Sequence, residues 1–151
     1  MRIALYQPDI PQNAGATFRL AACMGLPVDV IEPTGFVMSD ANLRRAGMDY
    51  LDKVEITRHI SWDTYLAVTP PARLVLLTTA ATQRHVDFTF DANDTLMVGR
   101  ESIGVPEDIH NRADVRLRVP MHSETRSLNV VTALTFVVGE ALRQTDGYPQ
   151  S

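Results

Sequence analysis

A chain of 151 residues, 45% hydrophobic and 21% charged, has the size and composition of one globular domain. That excludes a disordered tail protein and, with no apolar run near the ~18–20 residues of a membrane span, a helical membrane protein. A single cysteine, Cys23, and four scattered histidines exclude internal disulfides and leave no metal site to expect. The net charge of −4 argues against wholesale wrapping of nucleic acid while leaving room for a local site. Thirteen of the fourteen basic residues are arginine, and guanidinium is the better fork for phosphate. The opening run MRIALYQPDIPQNAG reaches two prolines too early for a signal peptide, so the cytoplasm is the expected location.

Ile3–Tyr6 is a short apolar run that reads as a strand, and Pro8 and Pro11 hold the chain extended to Asn13. From Asn13 the spacing Thr17, Leu20, Ala21, Met24 predicts a helix that Gly25 closes; Cys23 sits on its apolar pattern and reads as an inert core thiol. Val28–Ile31 is the next strand. Ser39 and Asp40 cap a short helix through Arg45 that Gly47 ends, Val54–Thr57 is a third strand, and Ser61 starts a helix that stops before Pro70-Pro71.

Leu74–Leu77, Thr95–Val98 and Val115–Val119 are the strongest strand candidates, with the composition of a sheet covered on both faces. Strands alternating with helices, without a linker or repeat, predict one α/β domain over residues 1–151 with a mostly parallel sheet flanked by helices. In the last helix, Ser127 to Gln144, apolar residues from Leu128 to Leu142 cover more than one face. Either the helix is sunk between the sheet and neighbouring helices or a partner covers it; in a chain too small to bury a helix all round, a homodimer interface is the favoured expectation.

The usual nucleotide fingerprints are missing. No G-x-G-x-x-G follows the first strand, and Gly99–Gly104 is followed by Val105-Pro106 where a P-loop needs Lys-Ser/Thr. There is no G-x-S-x-G elbow. Three segments remain, each at the C-terminal end of a predicted strand, where open parallel sheets bind ligands: Gln7–Arg19, Met97–Glu107 and Val119–Asn129.

N-x-G-x-x-x-R at Asn13–Arg19, G-x-E-x-x-G at Gly99–Gly104 and the V-P-M…S-L-N segment ending at Asn129 resemble the three motifs of the SPOUT RNA methyltransferases. E-P-x-G-F at Glu32–Phe36 and L-R-R-A-G-x-D-Y at Leu43–Tyr50 bring the resemblance closer, to the tRNA (cytidine/uridine) 2′-O-methyltransferases of the wobble nucleotide. It runs from Arg2 to about Pro149. The resemblance implies an α/β fold with a deep C-terminal trefoil knot, a homodimer with composite sites, and the anticodon stem-loop of tRNA as partner. A knotted RNA-binding module without catalysis, or ribose methylation at another RNA position, stays open as the alternative.

By the same resemblance the cofactor is S-adenosylmethionine, leaving as S-adenosylhomocysteine and needing no metal. The matching positions are Leu77, Thr78, Thr79, Gly99, Glu101, Gly104, Val119, Pro120, Met121, Ser127 and Leu128. Arg19, Glu101, Ser127 and Asn129 match the catalytic positions. A guanidinium keeps its proton, so Arg19 suits a phosphate clamp and stabiliser of a developing alkoxide better than a literal base. Ser127 is also a natural cap for the last helix. Arg19, Arg44, Arg45 and Arg126 are the candidates for RNA phosphates. Arg100 stands where the family carries proline or serine, and His122 reads as a loop residue.

Overall fold

The computed structural model describes residues 1–45 and 49–150. In chain order it has β1 (Arg2–Tyr6), α1 (Pro11–Met24), β2 (Val28–Ile31), α2 (Asp40–Arg45), β3 (Ile56–His59), α3 (Trp62–Val68), β4 (Arg73–Leu77), β5 (Asp94–Val98), α4 (Glu107–Arg112), β6 (Val115–Leu117) and α5 (Val130–Gln144). The six strands form one sheet of order β3-β2-β1-β5-β4-β6, and every pair is parallel. The mostly parallel α/β sheet expected from the sequence is therefore observed. The expected stop of α2 at Gly47 lies outside the described residues.

Strand alternation divides the core. Ile3, Leu5, Val75, Leu96 and Val98 face α1 and α5, where they meet Phe18, Leu134, Val137 and Val138. Ala4, Tyr6, Leu74, Leu76 and Met97 face the other way, against Tyr65 of α3 and Ile109 of α4. Helices thus cover both faces, which is why the strands read as continuous apolar runs. The buried charge cluster on β2 is satisfied: Asp29 accepts from Arg2 Nε at 2.8 Å and pairs with His59 Nε2 at 2.8 Å.

Several boundaries differ from expectation. The first helix begins at Pro11, not Asn13, because proline in the first turn has no helical partner to lose. The third strand is Ile56–His59, not Val54–Thr57: the ladder pairs Val28 with Ile56 and Ile31 with His59, and the Asp29 contact draws His59 inward. The last strand stops at Leu117, since Arg118 leaves the ladder to donate its N–H to Gln83 O and accept from His85 N. Cys23 is exposed and does not belong to the core; it falls off the Thr17/Ala21 stripe. The helix α4 is not among the expected elements, although Pro106 followed by Glu107-Asp108, an acidic first turn, is a signal for it.

The last helix starts at Val130, and its cap is Asn129 rather than Ser127. The Asn129 Oδ1 accepts from Val131 N at 2.9 Å and Thr132 N at 3.3 Å. Its inner stripe is buried, while Phe136 on the outer side is 55% exposed. The geometry separates the two candidates for the cap. Asn129→Ala is expected to lower unfolding free energy by about 1 kcal/mol, and Ser127→Ala to change it by less than about 0.5 kcal/mol, both read from urea denaturation midpoints.

Candidate active site

With β1 beside β5, the chain runs outward to β2 and β3 on one side and to β4 and β6 on the other. Ligands of open parallel sheets bind at this reversal, outside the strand ends. A cavity of about 650 Å³ lies there, over the ends of β4, β5 and β6 and the starts of α1 and α5. Leu76, Leu77, Val98 and Leu117 give it an apolar floor, and Asn13, Thr78, Glu101 and Asn129 are polar groups on its wall.

The loops after β4 and β5 are pinned by main-chain bonds. Thr78 N donates to Leu117 O at 2.9 Å, tying the end of β4 to the end of β6. Residues 100–104 close on themselves, Arg100 N donating to Gly104 O at 3.1 Å and Gly104 N to Arg100 O at 2.8 Å. Gly104 takes φ +69°, a left-handed conformation suited to glycine. Gly99 is required for a different reason: a Cβ there would stand 2.7 Å from the Gly104 carbonyl carbon. At the mouth, Asn129 Nδ2 donates to Asn13 Oδ1 at 3.0 Å, joining the first turn of α1 to the cap of α5.

The loop after β1 and the loop after β5 clasp each other. Asp9 N donates to Glu101 Oε2 at 2.9 Å, and Glu101 N donates to Asp9 Oδ1 at 3.1 Å. Ser102 Oγ donates to Asp9 Oδ2. Behind Asp9 stands Gly35, where a Cβ would be 2.6 Å from the Asp9 Cβ, which accounts for the glycine in Glu32–Phe36. The two carboxyls divide unequally. Hydrogen bonding from Glu101, then from Ser102, lowers Asp9 to about 2. Burial, then the facing Asp9, pushes Glu101 up from its usual value.

Of the positions expected for the cofactor, Leu77, Thr78, Thr79, Gly99, Glu101, Gly104, Val119, Met121, Ser127 and Leu128 all line the cavity; Pro120 does not. Asn129 lines it as well. Of the arginines expected at RNA, Arg19, Arg44, Arg45 and Arg126 all lie outside it and are exposed. Arg19 stands on α1 with its guanidinium over the Tyr50 ring, and Arg44 is 3.8 Å from Asp52. Sequence reasoning misses Asp9, whose partner is 92 residues away, and the wall residues Ile10, Ile103, Val105, His110 and Arg118. The Pro-Asp turn after the first strand is the one available hint of Asp9. Among the described residues no cluster of His, Cys, Asp and Glu could hold a metal, and no helix is long and apolar enough to cross a membrane.

The cavity fits a nucleoside-sized ligand: its volume is within the ~300–1,000 Å³ of small-molecule sites, and the pinned loops after β4 and β5 border an apolar floor. Three comparisons agree with that reading. The tRNA (cytidine(34)-2′-O)-methyltransferase of Beijerinckia indica subsp. indica is 54% identical over 144 residues, covering 94% of this chain and 90% of that protein. A solved structure concerned with the 2-OH methylation of C/U34 on tRNA is 38% identical, with a TM-score of 0.88, covering 95% of this chain and 94% of that one. The SpoU methyltransferase AviRb from Streptomyces viridochromogenes in complex with AdoMet shares the fold at a TM-score of 0.83 and 24% identity, covering 95% of this chain and 57% of that one. Residues 1–138 match the model of the SpoU rRNA Methylase family, and the chain belongs to that family.

Proposed function

We propose that this protein is an S-adenosylmethionine-dependent tRNA ribose 2′-O-methyltransferase acting on the wobble nucleotide, a single-domain cytoplasmic homodimer. The observation that carries the reading is the convergence of three separated motif loops on one cavity at the sheet reversal. Identity of 54% to a tRNA (cytidine(34)-2′-O)-methyltransferase over nearly the whole chain supports the substrate. A trefoil crossing of the segment after β6 belongs to the same reading.

In this reading Leu77, Thr78, Gly99, Val119, Met121 and Leu128 hold the cofactor, whose sulfonium supplies an electrophilic methyl group. Gly99 and Gly104 would let the main chain approach it closely. Glu101, raised by burial and by Asp9, is the wall carboxyl suited to hold a proton. Asn129 and Ser127 stand at the mouth beside Asn13. Arg19 clamps a tRNA phosphate and stabilises negative charge developing on the ribose oxygen.

Arg19 does not line the cavity of its own chain. It follows Asn13 by six residues, about 9 Å along the helix at 1.5 Å per residue. A second copy delivers it: α1 and α5 lie side by side, and the uncovered Phe136 beside them gives the partner an apolar seat. Each site is then composed of cavity loops from one protomer and Arg19 from the other.

Incubation with labelled cofactor and unmodified tRNA should place the methyl on the ribose of the wobble nucleotide, mapped by mass spectrometry. tRNA binding without transfer would identify an RNA-binding module instead. Arg19→Ala is expected to lower turnover by about 10²–10³-fold with cofactor affinity intact; equal loss of both would contradict the division of roles. Gly99→Ala should weaken cofactor binding by about tenfold or more, measured by calorimetry, because its Cβ forces the 100–104 loop apart. The lowered Asp9 stabilises the fold fully above the unfolded value of about 4, and that contribution is lost as pH falls through about 2. The stability difference between the wild type and Asp9→Asn should accordingly shrink from pH 5 towards pH 2 in denaturant unfolding.

A further inference from the structure

Arg19 and Lys53 share one aromatic ring. The Arg19 guanidinium carbon lies 5.0 Å from the Tyr50 ring centroid, and Lys53 Nζ lies 5.8 Å from the same centroid. Tyr50 is half-buried and packed against the core beneath α1, so the ring is an anchored post. Several other arginines of the chain behave differently: Arg2, Arg73, Arg84 and Arg143 each fork onto a carboxylate with their in-plane N–H groups. Arg19 and Lys53 have no side-chain hydrogen bond or ion pair among the described residues. The nearby carboxylate of Asp52 is turned to Arg44 instead.

The distinction is chemical. A guanidinium paired edge-on with a carboxylate has its donors occupied, whereas one seated over an aromatic ring and without a carboxylate keeps donors free for a bidentate partner. Lys53 adds a compact point charge near the same ring. Two cations set against one ring, with no ion pair among the described residues and on a molecule of net charge −4, are suited to an anion. On an RNA-modifying protein that anion is the phosphodiester of the bound strand.

We propose that Tyr50 and Lys53 join Arg19 in a phosphodiester-binding site for the tRNA, with Tyr50 the positioning residue whose ring the guanidinium overlies and Lys53 a second phosphate contact. The proposal rests on the methyltransferase reading and extends it to two residues outside the cavity. It accounts for a feature that reading leaves unexplained: the clamp arginine is ordered by a neighbour that takes none of its donors.

The test is titration of unmodified tRNA over a series of salt concentrations, with cofactor affinity and melting temperature measured on the same proteins. Lys53→Gln is expected to reduce the slope of log K against log salt by about 0.7, one single-strand phosphate contact. Tyr50→Leu should weaken tRNA binding several-fold, Tyr50→Phe should restore it because the ring face survives, and cofactor affinity should be the same in all. In an Arg19→Ala background, Tyr50→Leu should have no further effect on tRNA binding, since its action runs through the arginine. A Lys53→Gln slope equal to the wild type, or a Tyr50→Leu protein that binds tRNA like Tyr50→Phe, overturns the proposal. Should Tyr50→Leu fail to fold, the slope for the exposed Lys53 decides alone. A wild type that neither binds nor methylates tRNA would remove the methyltransferase reading itself; one that does both, with the variants unchanged, removes this inference only.

Discussion

Strand order in a parallel sheet decides which turns meet, because every strand ends on the same side. Here the decisive pairing is β1 with β5, Ile3 against Leu96 and Leu5 against Val98. It sets the loop after Tyr6 beside the loop after Val98, two segments with no local reason to approach. The reciprocal bonds of Asp9 and Glu101 then lock that approach. Gly35 lets a third loop press on Asp9 from behind. These locked turns back one side of the cavity, the segments after β4 and β6 line the other, and its floor is the apolar ends of the strands themselves.

The locking group also sets the electrostatics of the wall. Two carboxyls in contact cannot both be ionised without repulsion, and the hydrogen bonds around Asp9 decide which one gives way. Asp9, with donors on both oxygens, stays charged and structural. Glu101 faces the cavity with its proton affinity increased. The same residues therefore fix the shape of the site and grade its two acids.

Much of this architecture is legible in the amino-acid sequence. Apolar runs locate five of the six strands closely, and the motif loops fall at strand ends, as expected. What local pattern does not carry is long-range. Asn129 displaces Ser127 as the helix cap because its side chain also reaches Asn13 across the cavity mouth, a contact that no local propensity encodes. His59 enters the third strand because Asp29, thirty residues earlier, needs a partner. Asp9 looks like an ordinary turn residue because its role depends on Glu101. Cys23 departs from expectation for a simpler reason: an apolar residue near the edge of a helical stripe can fall to either side. The positions that the resemblance expects at the cofactor line the cavity except for Pro120, and the arginines expected at RNA lie outside it.

Pairing between residues so far apart in the chain has a kinetic and thermodynamic consequence. Ile3 and Leu96 must find each other before any of the pocket exists, which makes assembly of the sheet centre a slow, non-local event. A fragment ending before β5 lacks the Val98–Val105 wall of the pocket and all of the lining that follows it. Occupancy is consequently coupled to the whole cooperative unit: a small molecule lodged there opposes global unfolding by mass action, so its presence is felt as far away as the edge strand β3.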